Sequence, residues 1–308
     1  MRAISREQLL IIGAFAVIYI VWGSTYLFNY YAIQTIPPYI MGGSRFFVAG
    51  FLLFMTGRLL NHPMPSLLHW RNAAGIGFLF FTLGVGGVVW AVQFIDTGIA
   101  SLIVSLEPLL VILLLWSFFG KRPGPASILG TIFGISGIVL LVSQDHFTTD
   151  RSTVWGIVLI GVSILAWSSA SVILSKVVLP KSKILSAGMQ MITGGISMVL
   201  IGLVIGEFSA FEVGAIDLRA GLSWVYLVLF GSILAFTSFN FLLLKVSPDK
   251  VASCTYVNPL VALLLGWGVN DEVLTSQSAL AALALLGGVV LITMENYRFK
   301  RPPRSRRL

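Results

Sequence analysis

The hydrophobic residues of this chain fall into runs of about 20, the length that spans a bilayer, and short polar connections separate the runs. The runs show none of the strict apolar–polar alternation of half-buried strands. The predicted helical segments are 9–30, 38–59, 72–95, 98–119, 125–143, 153–177, 183–205, 222–245, 250–270 and 276–295. The pattern therefore predicts an all-α polytopic membrane protein with ten transmembrane helices.

Two of these segments carry a polar residue followed directly by proline. Glu107-Pro108 lies in the fourth segment, and Asn258-Pro259 lies 151 residues later in the ninth. Proline removes a backbone hydrogen bond and pushes the preceding helical turn apart. In a bilayer, the freed carbonyl and a carboxylate are both tolerated only where protein or a water-filled cavity faces them. We therefore predict helix breaks at Pro108 and Pro259 that line an interior cavity.

The second half of the sequence repeats the first. Residues 22–24 (WGS) correspond to 167–169 (WSS), and Arg45–Gly50 correspond to Gln190–Gly195, both at an offset of 145. Five helices per unit is an odd number, so the second unit must enter the membrane from the opposite side. The sequence thus predicts two inverted five-helix repeats, an arrangement typical of secondary transporters.

The predicted repeats cover residues 9–143 and 153–295, and a basic tail follows at 296–308. The chain is 57% hydrophobic and only 10% charged, which excludes an ordinary soluble domain. Its net charge of +8 indicates cytoplasmic loops rich in Lys and Arg, and not nucleic-acid binding. The distribution of these charges predicts that both termini lie in the cytoplasm. A single cysteine rules out a disulfide framework, and we expect no metal site and no cofactor.

Several motifs together resemble a known family. They are W-G-S-T-Y at Trp22–Tyr26, P-P-Y-I with S-R-F-F-V-A-G within Pro37–Gly50, and the paired E-P and N-P helices. In this order they resemble the EamA-type members of the drug/metabolite transporter superfamily over about residues 9–295. The resemblance implies a bacterial inner-membrane exporter of small metabolites, commonly amino acids or amphipathic drugs, with a central cavity between the repeats. Lys121-Arg122 departs from the acidic residue usual before the last helix of a repeat, which the second repeat keeps as Asp271-Glu272.

Charged and aromatic residues at one depth suggest where the cavity lies. At about 1.5 Å per residue, Trp22, Arg45 and Glu107 fall on one level in the outer half of the membrane. Since neither charge can face lipid cheaply, we expect Arg45 and Glu107 to form an ion pair or a water-bridged pair. Three roles for Glu107 remain open: a static partner of Arg45, a proton carrier, or a direct contact for substrate.

Symmetry places a neutral counterpart of this group in the inner half, where polar side chains can bind substrate by hydrogen bonds without a buried charge. The predicted substrate-binding residues are Trp22, Ser24, Tyr26, Arg45, Trp90, Gln93, Glu107, Trp167, Gln190, Asn240, Tyr256 and Asn258.

The function favoured by these features is export of a small molecule by alternating access, either coupled to protons or as an uncoupled facilitator. The chain contains no Walker sequence that would indicate ATP drive. A membrane-embedded enzyme is disfavoured because the spans contain one carboxylate away from their ends and no histidine, and we expect no catalytic residue. A channel is disfavoured because a single charge pair does not resemble a ring of selectivity groups. The expected partners are a small-molecule substrate and the lipid bilayer, with the chain acting as a monomer or homodimer.

Overall fold

The structure, a computed structural model, describes residues 5–120, 123–143, 151–174, 176–209, 211–246, 251 and 254–299. Within these ranges its regular elements are all helical. The α-helices are α1 (Arg6–Ala32), α2 (Pro38–Leu59), α3 (Leu67–Gly77), α4 (Gly86–Ala91), α5 (Thr97–Val104), α6 (Glu107–Phe119), α7 (Pro125–Val142), α8 (Arg151–Leu174), α9 (Lys183–Val204), α10 (Leu218–Tyr226), α11 (Ala235–Lys245), α12 (Cys254–Val269) and α13 (Ser276–Phe299). π-Helical segments at Phe78–Val85 and Leu227–Leu234 join α3 to α4 and α10 to α11, and short 3₁₀ turns lie at Glu207–Ser209 and Val213–Ala215.

Seven helical stretches are long and apolar enough to cross a membrane. They are Arg6–Ala32, Pro38–Leu59, Leu67–Ala91, Thr97–Phe118, Arg151–Leu174, Lys183–Val204 and Leu218–Phe239. The other predicted segments coincide with α7, α12 and α13, whose apolar stretches Pro125–Gly137, Val257–Val269 and Ser276–Gly288 are shorter. The prediction of an all-α membrane protein is confirmed, with seven candidate spans among the described residues. Most of the basic tail predicted at 296–308 lies outside them.

Helices α2 and α9 pack antiparallel along a seam of glycines. Gly43, Gly50 and Gly57 recur every seven residues of α2, and each lies against α9. A Cβ atom at Gly50 would lie 2.7 Å from the carbonyl oxygen of Gly188, and one at Gly43 would lie 2.9 Å from that of Gly195. Small residues let the backbones of membrane helices approach this closely. Glycine at these positions therefore sets the spacing of the two helices.

Helices α7 and α13 repeat this arrangement on the other side of the bundle. A Cβ atom at Gly137 would lie 3.0 Å from the backbone nitrogen of Leu285, and one at Gly288 would lie 2.8 Å from that of Gly134. Two buried apolar clusters adjoin the glycine seams. One is built around α5 and α8 and includes residues of α13, and the other is built around α2 and α9.

The Glu207 carboxylate caps the start of α2. It lies just after α9 and accepts hydrogen bonds from the backbone nitrogens of Tyr39 (3.1 Å) and Ile40 (2.9 Å). The first backbone N–H groups of a helix have no partner within the helix, and the helix dipole favours a negative charge beside them. Gly202 leaves room for this carboxylate, since a Cβ there would lie 3.1 Å from its Oε2 atom.

The Glu272 carboxylate does the same for α5. It lies after α12 and accepts from the Thr97 backbone nitrogen (3.0 Å), the Thr97 hydroxyl (2.7 Å) and the Gly98 backbone nitrogen (3.1 Å). A Cβ at Gly266 would collide with this carboxylate. We call the contacts of Glu207 and Glu272 the glutamate clamps. Each joins a residue of the second half of the chain to the first turn of a helix in the first half.

Replacing Gly50 by alanine tests the glycine seam. The new methyl group would press on the α9 backbone, so we expect Gly50→Ala to lower the unfolding free energy by about 1–3 kcal/mol. Gly13→Ala in α1 is the matched control, because no neighbouring atom lies within 4 Å of its Cβ position. That change should be neutral or stabilise the helix by up to about 1 kcal/mol. Thermal unfolding of the purified protein in detergent measures the stability of both variants. Equal changes in their unfolding temperatures would contradict the role of Gly50 in spacing α2 and α9.

Removing a clamp should also cost stability. We expect Glu272→Ala to lower the unfolding free energy by about 0.5–2 kcal/mol, because the first turn of α5 loses its cap. Glu212→Ala is the control, since Glu212 is exposed and its side chain has no recorded partner in the described part of the chain. Its effect should stay within about 0.5 kcal/mol. The same unfolding assay compares the two variants. If Glu272→Ala lowers the unfolding free energy no more than Glu212→Ala does, the clamp has no structural role.

Candidate functional site

A cavity of about 210 Å³ lies between the two halves of the chain. Its walls come from α1, α2, both π-helical segments, the α5–α6 region, α8, α9, α11 and α12. The predicted site residues that line it are Trp22, Tyr26, Arg45, Glu107, Trp167 and Asn258.

The predicted helix break at Glu107-Pro108 is present. Helix α5 ends at Val104 and α6 begins at Glu107, with Pro108 in its first turn, where a missing N–H costs little. The Glu107 carbonyl accepts a hydrogen bond from the Ser168 hydroxyl at 3.4 Å. Ser105 lies in the break, and its side chain is buried and lines the cavity. The broken backbone therefore faces protein and the cavity, as the cost of exposing it to lipid requires.

The predicted break at Pro259 is wrong, because α12 continues through this residue. Proline is tolerated inside membrane helices where neighbouring helices and local adjustments satisfy the freed backbone groups. The side chain before this proline contacts such a neighbour. The Asn258 amide nitrogen is assigned to a site facing the carbonyl oxygens of Ile18 (3.2 Å), Tyr19 (3.1 Å) and Cys254 (3.2 Å), so it ties α12 to α1.

The Glu107 carboxyl group meets aromatic and hydroxyl groups in the cavity wall. Trp167 and Tyr26 line the same cavity as Glu107, one from each half of the chain. Phe80 packs edge-on against Trp167, with ring centroids 4.7 Å apart. Glu107 thus faces neutral aromatic side chains from helices of both halves.

Arg45 is also held by neutral groups. Its side chain is only 4% exposed, its Nε donates to the Ser232 hydroxyl at 2.9 Å, and its Nη1 donates to the Asn29 side-chain oxygen at 3.0 Å. The Phe46 ring lies 4.7 Å from the guanidinium carbon, a cation–π distance.

The expected direct ion pair between Arg45 and Glu107 is not formed. The salt bridge found among the described residues joins Lys245 to Glu7 at 2.8 Å, outside the cavity. Arg45 instead donates to the neutral side chains of Asn29 and Ser232, which satisfy part of its hydrogen-bonding capacity. Both charges still line the same cavity, so a water-bridged pair stays a prediction.

The two π-helical segments are features that the sequence did not reveal. They bring Gly84 and Gly231 to the cavity wall, and Trp22 donates its indole N–H to the Gly231 carbonyl at 3.3 Å. Single π-helical turns are frequent at functional sites. Each of these apolar segments contains a glycine that could have marked the π-helical turn. Glycine is common in membrane helices, however, and does not specify such a turn.

Four other predicted site residues, whose side chains are described, do not line the cavity. The Ser24 hydroxyl hydrogen-bonds to that of Tyr226 at 2.7 Å, and Trp90 packs edge-on against Tyr39. Gln93 is exposed, and buried Gln190 donates to the Ser186 hydroxyl at 2.9 Å. The side chains of Asn240 and Tyr256 lie outside the described residues. Residues that line the cavity and were not predicted include Asn29, Phe81, Ser101, Ser105, Ser163 and Ser232.

The sequence of this chain matches a known protein family along most of its length. Residues 9–143 and 154–294 match the EamA-like transporter family. The inner membrane transporter YedA of Escherichia coli (strain K12) is 34% identical over 300 residues, which cover 97% of this chain and 95% of YedA.

More distant relatives extend the comparison. The transporter YoaV of Bacillus subtilis (strain 168) is 23% identical and is covered over 96% of its length, together with 91% of this chain. A chloroplastic WAT1-related protein of Arabidopsis thaliana is 24% identical, over 88% of this chain and 66% of its own. A solved crystal structure superposes with a TM-score of 0.62 at 20% identity, over 96% of this chain and all of the other. That likeness shows a shared fold.

Proposed function

This chain belongs to the EamA-like transporter family, and from that premise we propose that it exports small metabolites, such as amino acids or amphipathic compounds, by proton-coupled alternating access. The chain is a membrane transporter. The proposal concerns its substrate, its mechanism and its coupling.

The Glu107 carboxyl group is the observation that carries the coupling proposal. It lies at a helix break, lines the cavity between the halves, and has no ion-pair partner among the described residues. A carboxyl group whose contact with water changes as a cavity alternates also changes its affinity for a proton. Because no fixed cation holds Glu107 in its charged form, this change can drive proton uptake and release.

We further propose that the chain has ten membrane helices in two inverted repeats, with both termini in the cytoplasm. The packing of α2 against α9 supports this, since the two are counterparts at the offset of 145. Helices α7 and α13, the last of each half, pair in the same manner. The π-helical segments begin at Phe78 and Leu227, equivalent places in the two halves. Repeats of this kind place the substrate near the membrane midplane between them.

Transport currents in reconstituted liposomes test the coupling. A panel of amino acids and amphipathic cations would be applied to wild type and Glu107→Gln, with and without a pH gradient. We expect saturable wild-type currents that grow with the gradient, and loss of the gradient-dependent component in Glu107→Gln, because glutamine cannot exchange the proton. The protein-to-lipid ratio must match between the variants.

Glu212→Gln is the matched control, since it removes an exposed carboxyl group outside the cavity lining. Its currents should keep both saturation and gradient dependence. Currents that survive Glu107→Gln and ignore the gradient would contradict coupling through Glu107 and leave an uncoupled facilitator.

A further inference from the structure

The Arg45 guanidinium is a buried charge that has no direct ion-pair partner in the part of the chain that is described, although Glu107 lines the same cavity. Its hydrogen-bond partners there, Asn29 and Ser232, are neutral. A buried charge is costly unless it is paired. Hydrogen bonds from two of its nitrogens and the Phe46 ring stabilise the group only in part.

One edge of this guanidinium remains unbonded. The Nη2 nitrogen has no hydrogen-bond partner among the described residues, although the side chain lines the cavity. The neighbour of Nη2 is Gly231 in the second π-helical segment, where a Cβ would lie only 3.1 Å away. The absence of a side chain at Gly231 keeps this edge clear.

Asn29 and Ser232 fix the plane of the guanidinium from two different helical elements. Asn29 belongs to α1, and Ser232 belongs to the π-helical segment. A planar guanidinium held in this manner presents its remaining N–H groups in the fork geometry that fits a carboxylate. The aromatic rings of Trp22, Phe81 and Phe236 line the same cavity and can pack against the apolar part of a ligand.

We propose that Arg45 is a specificity-determining residue that binds the carboxylate of a small organic acid with an apolar body, and that Asn29 and Ser232 position it. The substrate's anionic group supplies the counter-ion that the described part of the protein does not. This inference rests on the proposed transport function, because it assigns the substrate class to the same cavity.

Equilibrium binding to the purified full chain in detergent tests the proposal without requiring transport. The probes are 3-phenylpropanoate and its uncharged amide, 3-phenylpropanamide, which are nearly the same size. Tryptophan fluorescence reports occupancy, since Trp22 and Trp167 line the cavity. We expect wild type to bind the acid about tenfold to a hundredfold more tightly than the amide, the range of a charge-assisted hydrogen bond.

Three variants separate recognition from packing. Arg45→Gln should abolish the preference for the acid, and Arg45→Lys should keep part of it because the charge remains. Asn29→Asp places a carboxylate where the Asn29 oxygen now lies 3.0 Å from Nη1, so it should neutralise Arg45 from within and also abolish the preference. Gln93→Glu adds the same charge at an exposed position outside the cavity lining and should leave the preference intact. Gel filtration and thermal unfolding identify any variant that fails to fold.

Equal binding of acid and amide by wild type, or no carboxylate-dependent signal at all, would overturn the proposal. So would a preference that persists in folded Arg45→Gln, because Arg45 would then serve only packing. The coupling proposal fails separately: if Glu107→Gln keeps gradient-dependent transport, the Arg45 site can still bind carboxylates.

Discussion

A helix that breaks inside a membrane must find protein or a cavity for the polar groups it frees, and this constraint shapes the centre of the molecule. At Glu107-Pro108 the Ser105 hydroxyl donates to the Leu102 carbonyl at 2.6 Å, and other helices cover the rest of the break. Helix α8 does so through Ser168, and the cavity covers the remainder. The break, the cavity and the contact between the two halves of the chain are therefore consequences of one another.

The two cavity charges illustrate a second constraint. If Arg45 and Glu107 bound each other directly, their charges would cancel within the cavity wall. Instead, Arg45 donates to the neutral side chains of Asn29 and Ser232, and Glu107 has no ion-pair partner among the described residues. Neutral partners hold the guanidinium in place and leave its charge uncompensated. The cavity wall therefore carries one basic and one acidic side chain that are not directly paired.

The sequence alone predicted the features that depend on long apolar runs or on single residues that are costly to place in lipid. The apolar runs gave the helices, and the cost of burying Arg45 and Glu107 in lipid placed both at the cavity. Features that depend on contacts with a neighbouring helix or side chain could not be predicted from the sequence. Pro259 lies inside an unbroken helix whose Asn258 side chain faces carbonyls of α1, and Gln190 donates to Ser186 on its own helix and not into the cavity. The π-helical turns depend on packing across the bundle, and no residue spacing marks them.

The glutamate clamps bind mainly backbone N–H groups, and this choice of partner has a consequence for how the sequence can change. Every residue except proline offers the same N–H group, so the side chains at Tyr39 and Ile40 can vary without loss of the Glu207 clamp bonds. The demanding positions are Glu207 and Glu272, the two glycines that make room for them, and Gly98, where a Cβ would lie 2.7 Å from Leu263. A single change at Glu207 therefore removes bonds that substitutions at Tyr39 and Ile40 leave intact.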